Sequence, residues 1–266
     1  MKKFIERLWQ KRIARFDDCP LPSELAIAEG ERVLVFAPHP DDEVLGCGGT
    51  LALLRAKNCA VRVVVVTDGA AGDPHNYAAG DVVQVRQQET RAALKLIGVE
   101  DVFFWSEPDG KFRGSAAFTR KVNATVEEFK PTWLFLPSPL DYHRDHVAIS
   151  LAVLSSWQRR ARLGRAFFYE VWCPLPATWV VDVGEAMDIK KQALASYRLP
   201  LRYRNYTTAS TGLAAYRGLY LPAGDTPRYA EAFVEAEHKA SRGGISRRLL
   251  RLRAGLEDLL MDAGKK

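Results

Sequence analysis

Two short polar segments hold the residues whose types and spacing are best suited to chemistry. The first reads APHPDDE at residues 37–43, and the second reads DYHRDH at residues 141–146. Three of the five histidines in the chain fall within them. A catalytic zinc site typically takes three protein ligands drawn from histidine and carboxylate and leaves one position open for water. Together the two segments therefore predict a site for a divalent cation.

The spacing inside the first segment predicts that its acidic side chains point in different directions. His39 and Asp42 are three residues apart at the expected start of a helix, so both side chains can point to one side. Asp41 must leave the same turn in another direction and can lie beside a metal-bound water without being a ligand. Two adjacent carboxylates next to a histidine are costly unless a cation offsets their charge.

Alternating strands and helices position these segments. Short apolar runs predict strands, and runs with helical periodicity predict helices between them. The predicted strands are 32–38, 61–66, 102–105, 133–136, 166–172 and 179–183. The predicted helices are 44–57, 81–97, 115–130 and 146–163. This alternation predicts a Rossmann-like α/β fold, a mostly parallel sheet with helices on both faces.

Unusual polar residues follow four of the predicted strands. They are residues 39–43, Asp68, Asp109 and residues 141–146. In open α/β sheets, ligands bind outside the carboxyl ends of the strands. We therefore expect these residues to meet at one edge of the sheet.

The two ends of the chain predict helical extensions of a single domain that spans residues 1–266. Residues 2–16 have the pattern of an amphipathic helix, and residues 227–241 and 245–262 look like terminal helices. Between the core at residues 32–197 and these helices, the segment from 199 to 227 has no clear period. We expect residues 198–266 to form a C-terminal loop and helices.

The net charge of +6 is concentrated at the ends, in residues 2–15 and 242–253. Such ends could dock on anionic lipid at the inner membrane face, pack on the core, form a subunit contact or simply be solvated. The sequence has no secretory signal and no apolar run of membrane-spanning length, and its four cysteines are scattered. These features predict a cytoplasmic protein, and the sequence does not specify an oligomeric state.

The two segments and several further motifs resemble one known family. PHPDDE at residues 38–43 resembles the signature of the PIG-L (LmbE-like) N-acetylglucosaminyl deacetylases, and HRDH at residues 143–146 resembles their His-x-Asp-His motif. Weaker similarities are VTDG at 66–69, an Arg-x-x-Glu helix from Arg86 that closes at Gly98, and PDG at 108–110. The resemblance spans roughly residues 32–197.

The resemblance implies a zinc-dependent N-deacetylase that removes acetate from an N-acetylglucosamine-type sugar or glycoconjugate. It implies three metal ligands, His39, Asp42 and His146, for zinc or another divalent cation. It further implies that Asp41 is the general base and that His143 stabilises the oxyanion or acts as an acid.

Residues that would hold the substrate follow from the same resemblance. It makes Arg86 and Asp109 candidates for binding sugar hydroxyls. The family's Ser-Gln after the late helix is replaced here by YRLP at residues 197–200, which affects the substrate rim and not the metal ligands.

Two alternative functions are compatible with the same sequence. One keeps the metal and acts on another acylated amine. The other is a non-catalytic module that binds nucleotides or nucleic acid, for which the basic ends give slight support. The full ligand set argues against it, and we expect no nucleic-acid partner. A dinucleotide fingerprint beginning at Gly46 also fails, because its third glycine would fall at Leu51.

Overall fold

A computed structural model describes residues 21–159, 164–223 and 227–236. Its strands are β1 (Ser23–Glu24), β2 (Arg32–Ala37), β3 (Ala60–Thr67), β4 (Asp101–Glu107), β5 (Trp133–Pro137), β6 (Arg165–Tyr169), β7 (Trp179–Asp182) and β8 (Ala230–Glu235). Its α-helices are α1 (Asp42–Ala56), α2 (Val82–Ile97), α3 (Ala116–Phe129), α4 (Arg144–Gln158), α5 (Met187–Ala195), α6 (Arg198–Leu201) and α7 (Tyr206–Arg217). Short 3-10 helices lie at Ala70–Gly72, Gly184–Ala186 and Gly218–Tyr220.

The eight strands form one sheet in the order β1-β7-β8-β6-β5-β2-β3-β4. Strands β2 to β6 pair only in parallel with one another, and β8 pairs antiparallel with both β6 and β7. The direction of winding reverses between β2 and β5, which is the topological switch point where ligands bind in such folds. The two polar segments follow these two strands. The predicted Rossmann-like α/β fold is confirmed.

Helices cover both faces of the sheet because its strands are apolar on both sides. In β2, Val33 and Val35 pack into a core shared with α1, α2 and α5, whereas Leu34 and Phe36 pack into a core shared with α3 and α4. Strands buried on two faces lose the alternation of apolar and polar residues and are apolar throughout. This arrangement holds the carboxyl end of β2 rigidly beneath the helix that follows it.

The boundaries of the predicted helices depend on capping residues. Asp81 accepts a hydrogen bond from the backbone N–H of Gln84 at the start of α2, and Ser115 accepts one from Phe118 at the start of α3. Helix α2 ends at Gly98, whose φ of 84° is accessible to glycine at little cost. The helix predicted at 81–97 therefore ends where its sequence signal places it.

The helix predicted for residues 227–241 is wrong over Ala230–Glu235, which form β8. The segment has good helix formers, but it fills the space between β6 and β7 and completes the sheet. Burial of Phe233 and of its neighbours between the two strands outweighs a helix propensity worth only a few tenths of a kcal/mol per residue. Residues 206–217, for which no period was evident, form α7.

Helix α1 is interrupted at Cys47, whose backbone has φ −145° and ψ 18°. A buried ion pair occupies the interruption. Lys190 Nζ donates to the carbonyl oxygen of Leu45 at 2.9 Å and to Glu231 at 2.6 Å. The Glu231 carboxylate accepts from the backbone N–H groups of Gly49 and Thr50 at 2.8 and 2.7 Å. The pair thus satisfies backbone groups exposed by the kink and joins α1, α5 and β8.

Replacing Lys190 by methionine is expected to destabilise the protein by about 3–5 kcal/mol, because it leaves the Glu231 carboxylate buried without its cation. The measurement is chemical denaturation of the two proteins. Lys191→Met is the matched control, since Lys191 forms a surface ion pair with the exposed Asp188 at 3.4 Å and a long contact of 5.5 Å with the ring of Tyr229, so the variant should unfold nearly like the wild type. Equal stability of Lys190→Met and the control would contradict this role for the ion pair.

Several sequence predictions fall outside the described residues. They include the helix at 2–16, the helix at 245–262 and the basic residues at 2–15 and 242–253. Among the described residues, no helix combines the length and apolar character needed to cross a bilayer.

Candidate metal centre and active site

Three side chains from the two polar segments converge at the switch point. His39 Nδ1 lies 3.2 Å from Asp42 Oδ2 and 3.1 Å from His146 Nε2, and the same Asp42 oxygen lies 3.1 Å from His146 Nε2. All three residues are buried. His39 follows β2, Asp42 begins α1, and His146 lies in the first turn of α4 after β5. The fold therefore brings together residues that are separated by more than a hundred positions.

The second nitrogen of each histidine faces a carboxylate. His39 Nε2 lies 3.0 Å from Asp109 Oδ1 and 3.4 Å from Asp145 Oδ2. His146 Nδ1 lies 3.3 Å from Asp141 Oδ2. A carboxylate behind a ligating histidine fixes its tautomer and increases its basicity, and this is the usual outer shell of a metal site. The inward nitrogens, His39 Nδ1 and His146 Nε2, are thus the ones available as ligands.

The inward atoms fit a small divalent cation. Ligand atoms that bind one zinc ion at about 2.0–2.2 Å lie roughly 3.3–3.5 Å apart in a tetrahedral arrangement. The three separations of 3.1–3.2 Å between His39, Asp42 and His146 are close to this spacing. Two imidazole nitrogens directed at each other inside a protein also call for a cation or a proton between them. The donor set of two nitrogens and one carboxylate oxygen suits zinc and its neighbours in the first transition row.

His143 is a further nitrogen close to this set. Ring nitrogens of His39, His143 and His146 all lie within 4.8 Å of one another, as do ligand atoms of His39, Asp109 and Asp145. The Asp42 oxygen lies within 3.2 Å of the inward nitrogens of both His39 and His146, which makes it a candidate ligand alongside His143.

Asp41 is buried beside these candidate ligands and has an unusual backbone conformation. Its φ is 125°, a region that non-glycine residues rarely occupy and that costs about 1–3 kcal/mol. This turn directs the Asp41 carboxylate away from the ligand triangle and toward Arg86, whose Nη2 lies 3.1 Å from its Oδ2. Burial raises the pKa of Asp41 to about 7, although the charge of Arg86 opposes the increase. A carboxyl with a pKa near neutrality is suited to accept and return a proton.

Buried polar residues hold this turn in place. Glu43 accepts a hydrogen bond from the backbone N–H of Asp41 at 3.2 Å and another from the hydroxyl of Tyr197. Burial raises the pKa of Glu43 to about 8, although the bond from Tyr197 lowers it. Arg86 donates to the carbonyl oxygens of Pro40 at 2.6 Å and Gly69 at 3.2 Å. Hydrogen bonds on both sides of the turn therefore hold Asp41 in its strained conformation.

His143 lies at the start of α4 with its ring against those of His39 and His146. Its Nδ1 accepts a hydrogen bond from the backbone N–H of Asp145 at 3.3 Å, and its ring centroid lies 4.5 Å from that of His39. Partial burial lowers the pKa of His143, and the neighbouring histidines His39 and His146 lower it further. The ring is neutral at pH 7 with its proton on Nε2, because Nδ1 acts as an acceptor.

An open pocket of about 230 Å³ gives access to this cluster. His39, Asp41, Asp42 and His143 line it, whereas His146 does not. Arg86 and Asp109 also line it, but both side chains already form hydrogen bonds with other residues of the protein. Arg86 contacts Asp41, and Asp109 Oδ2 accepts from the backbone N–H of Ala71 at 3.0 Å.

Other residues of the site could not be assigned from the sequence. Asp141 and Asp145 lie within the second polar segment. Their positions close to His143 and His146 in the sequence were the only indication that they belong to the site. Trp172, Tyr203 and Tyr206 line the pocket, but two of them come from the segment without a period. Tyr203 donates to Asp73 in the loop after β3, so the pocket rim is built by two segments that are distant in sequence.

The fold and the site define a Rossmann-like α/β protein with a candidate mononuclear metal centre at the switch point of its sheet. Residues 34–157 match the model of the PIG-L family, described as GlcNAc-PI de-N-acetylase. The chain is therefore similar to the PIG-L family over the segment that carries both polar motifs.

Similarity to individual proteins extends beyond the matched domain. The chain is 24% identical over 187 residues to diacetylchitobiose deacetylase of Thermococcus kodakarensis. The aligned region covers 63% of this chain and 69% of that protein. It is 28% identical over 186 residues to a probable N-acetyl-alpha-D-glucosaminyl L-malate deacetylase 2 of Bacillus subtilis. This aligned region covers 63% of this chain and 82% of that protein. The crystal structure of the conserved protein TT1542 from Thermus thermophilus superimposes with a TM-score of 0.67 at 26% identity, covering 80% of this chain and all of that one.

Proposed function

We propose that this protein is a metal-dependent hydrolase that removes the acetyl group from an N-acetylated amino sugar or a glycoconjugate of one. The observation that carries the proposal is the triangle of His39, Asp42 and His146 beside Asp41, a buried carboxylate that is not part of the triangle. The names of the relatives support the same substrate class, because both act on N-acetylated glucosamine derivatives.

His39, Asp42 and His146 would hold the cation, and zinc is our proposal for it. A divalent cation bound there would polarise the amide carbonyl and lower the pKa of a water molecule. Asp141 and Asp109 orient the two histidines, so their inward nitrogens stay directed at the site.

Asp41 is the proposed general base and then the general acid. It takes a proton from water as the new C–O bond forms at the amide carbon. It returns this proton to the nitrogen as the C–N bond breaks, so the products are the free amine and acetate. The contact with Arg86 fixes the carboxylate, and its raised pKa allows it to hold the proton between the two steps.

His143 is the proposed donor to the oxygen that becomes negative during attack. Its neutral ring carries the proton on Nε2, because Nδ1 accepts from the backbone of α4. The side chain lines the pocket next to His39. A preoriented donor of this kind stabilises the tetrahedral intermediate more than the planar amide.

The two remaining predicted residues have different proposed roles. Asp109 would bind the substrate, and Arg86 would position the base. Asp109 keeps free lone pairs on a carboxylate that lines the pocket, which could accept from a sugar hydroxyl. Arg86 has its guanidinium on Asp41 and on two backbone carbonyls, which favours positioning of the base over contact with sugar.

The test of the proposal is acetate release from a panel of N-acetylated compounds by the zinc-loaded protein. The panel includes N-acetylglucosamine, diacetylchitobiose, an N-acetyl amino acid and an acetylated alkylamine. Acetate from the sugars alone supports the sugar deacetylase. Release from the amino acid or the alkylamine at an equal rate would favour the wider amidase, and no release from any compound would overturn both.

Metal affinity is expected to rise with pH up to about 9. Burial opposes protonation of His146, but Asp42 and Asp141 outweigh it and raise the pKa of its metal-free ring to about 9. The ring is therefore protonated at neutral pH, and a bound cation must displace that proton. Each ligand proton that the cation displaces in this way contributes up to about a tenfold gain in affinity per pH unit between pH 6 and 8.

Competition with a chromophoric chelator measures this dependence, with correction for protonation of the chelator. Titration calorimetry in buffers of different ionisation enthalpy counts the protons released per ion. Affinity that does not change with pH, with no proton release, would contradict a ligand role for His146.

A further inference from the structure

A second cavity adjoins the active-site pocket. It has a volume of about 110 Å³ and lies between α7 and the loop after β6. Three residues, Leu45, Trp172 and Tyr206, line both spaces, so the two lie side by side. An engineered apolar cavity of about 150 Å³ in another protein holds benzene, so this space is of the size of one small ring.

The walls of this cavity are apolar. Val171, Ala209 and Leu213 complete the surface begun by the three shared residues. Besides the polar atoms of the Trp172 and Tyr206 rings, the polar side chains in its lining are Ser210, which lies 3.5 Å from the carbonyl oxygen of Leu45, and Glu170.

The charge of Glu170 is already neutralised. Arg217 donates to both of its carboxylate oxygens, and the backbone N–H of Leu175 donates to one of them at 2.5 Å. Glu170 and Arg217 are each 4% exposed, so this ion pair is part of the core and not a binding group. No described residue of the cavity therefore offers a free charge to a ligand.

The cavity lies on the outer side of the active-site pocket. The metal ligands and Asp41 are buried, whereas Trp172 is 39% exposed and Ala209 lies at the surface. The amide of a substrate must lie against the buried cluster. In a 2-acetamido sugar the aglycone is bonded to C1, the carbon next to the one that carries the amide, so an aglycone lies within reach of the space that adjoins the pocket at Trp172 and Tyr206.

We propose that this cavity is an aglycone subsite, and that the preferred substrate is an N-acetylated sugar glycoside with an apolar ring or short alkyl group in it. The inference rests on the proposed deacetylase function and adds the substrate class. Burial of such a group on an apolar wall is expected to increase kcat/KM by about tenfold to a hundredfold. Trp172 also provides a flat face for the ring.

The experiment compares acetate release from the methyl and phenyl β-glycosides of N-acetylglucosamine by the zinc-loaded, full-length chain. Leu213→Asp places a charge in the cavity, and Leu213→Trp fills it. Ala215→Asp and Ala215→Trp are the matched controls, because Ala215 is exposed on the same helix and does not line the cavity. Thermal unfolding and metal content establish that each variant is folded and loaded.

The expected result is a phenyl-to-methyl ratio of kcat/KM of about ten or more in the wild type and both controls, which falls toward one in both Leu213 variants. A ratio near one in the wild type, with acetate released from both glycosides, overturns the subsite and leaves the deacetylase intact. A high ratio that survives both Leu213 changes places the phenyl group elsewhere and also overturns it.

Two further outcomes are decisive. If the N-butanoyl methyl glycoside is preferred over the N-acetyl one, and only the Leu213 variants lose this preference, the acyl chain occupies the cavity and the aglycone assignment is wrong. Release of acid from none of the glycosides overturns the proposed function and the subsite with it.

Discussion

Asp41→Asn is expected to lower kcat/KM by about a thousandfold while the bound metal is retained. The amide of asparagine cannot take a proton from water, and general base catalysis typically contributes 10²–10⁴-fold. Metal is retained because the Asp41 carboxylate contacts Arg86 and lies outside the ligand triangle. Asparagine tolerates a positive φ nearly as well as aspartate, so the turn at φ 125° should persist. Steady-state kinetics beside elemental analysis measures both effects.

Asp188→Asn is the control for this change, since the Asp188 side chain is 88% exposed and lies at the start of α5. It should match the wild type in rate and in metal content. Loss of metal from Asp41→Asn would make Asp41 a ligand, and an unchanged rate would remove it from the mechanism.

His146→Ala is expected to lose the bound ion and at least about a thousandfold in kcat/KM. The substitution removes one of the three proposed ligands and leaves only Asp42 and His39 of that set to bind a cation. Charge stabilisation by a catalytic cation contributes several kcal/mol, which corresponds to a rate factor of this size. Metal content by elemental analysis is measured first, and acetate release is measured with and without added zinc.

Two neighbouring variants separate ligation from other roles. His143→Ala should keep the metal and lose activity, because its Nδ1 is bound to the backbone of α4 and its proposed role is donation to the substrate. Asp141→Asn should keep activity at saturating zinc but weaken zinc affinity by about 10–100-fold, since Asp141 orients His146. Equal metal loss in His143→Ala and His146→Ala would place both histidines in the ligand set.

The strained turn and the kinked helix show how this site is supported at a distance. Asp41 adopts its conformation because Glu43 and Arg86 hold the turn from two sides. The helix that begins there is interrupted at Cys47, and Lys190 and Glu231 bind the backbone groups that the interruption frees. Stability of this ion pair is thus coupled to the position of the first polar segment.

The pocket rim depends on contacts that local patterns do not encode. Tyr203 comes from a segment without clear periodicity and donates to Asp73 in the loop after β3. The rings of His75 and Tyr203 stack with centroids 5.7 Å apart. Each residue alone is an ordinary loop residue, and only the approach of the two segments places Tyr203 at the rim.

The sequence by itself determined the strands and helices of the core, the edge of the sheet that carries the site, and the identity of the segments that converge there. These follow from local periodicity, capping residues and the position of polar residues after apolar strands. Tertiary structure alone decided that residues 230–235 form a strand, that Asp109, Asp141 and Asp145 face the outer nitrogens of the histidines, and that Arg86 binds Asp41. These features depend on burial between elements far apart in the chain, and such burial outweighs the weak local preferences that a sequence pattern records.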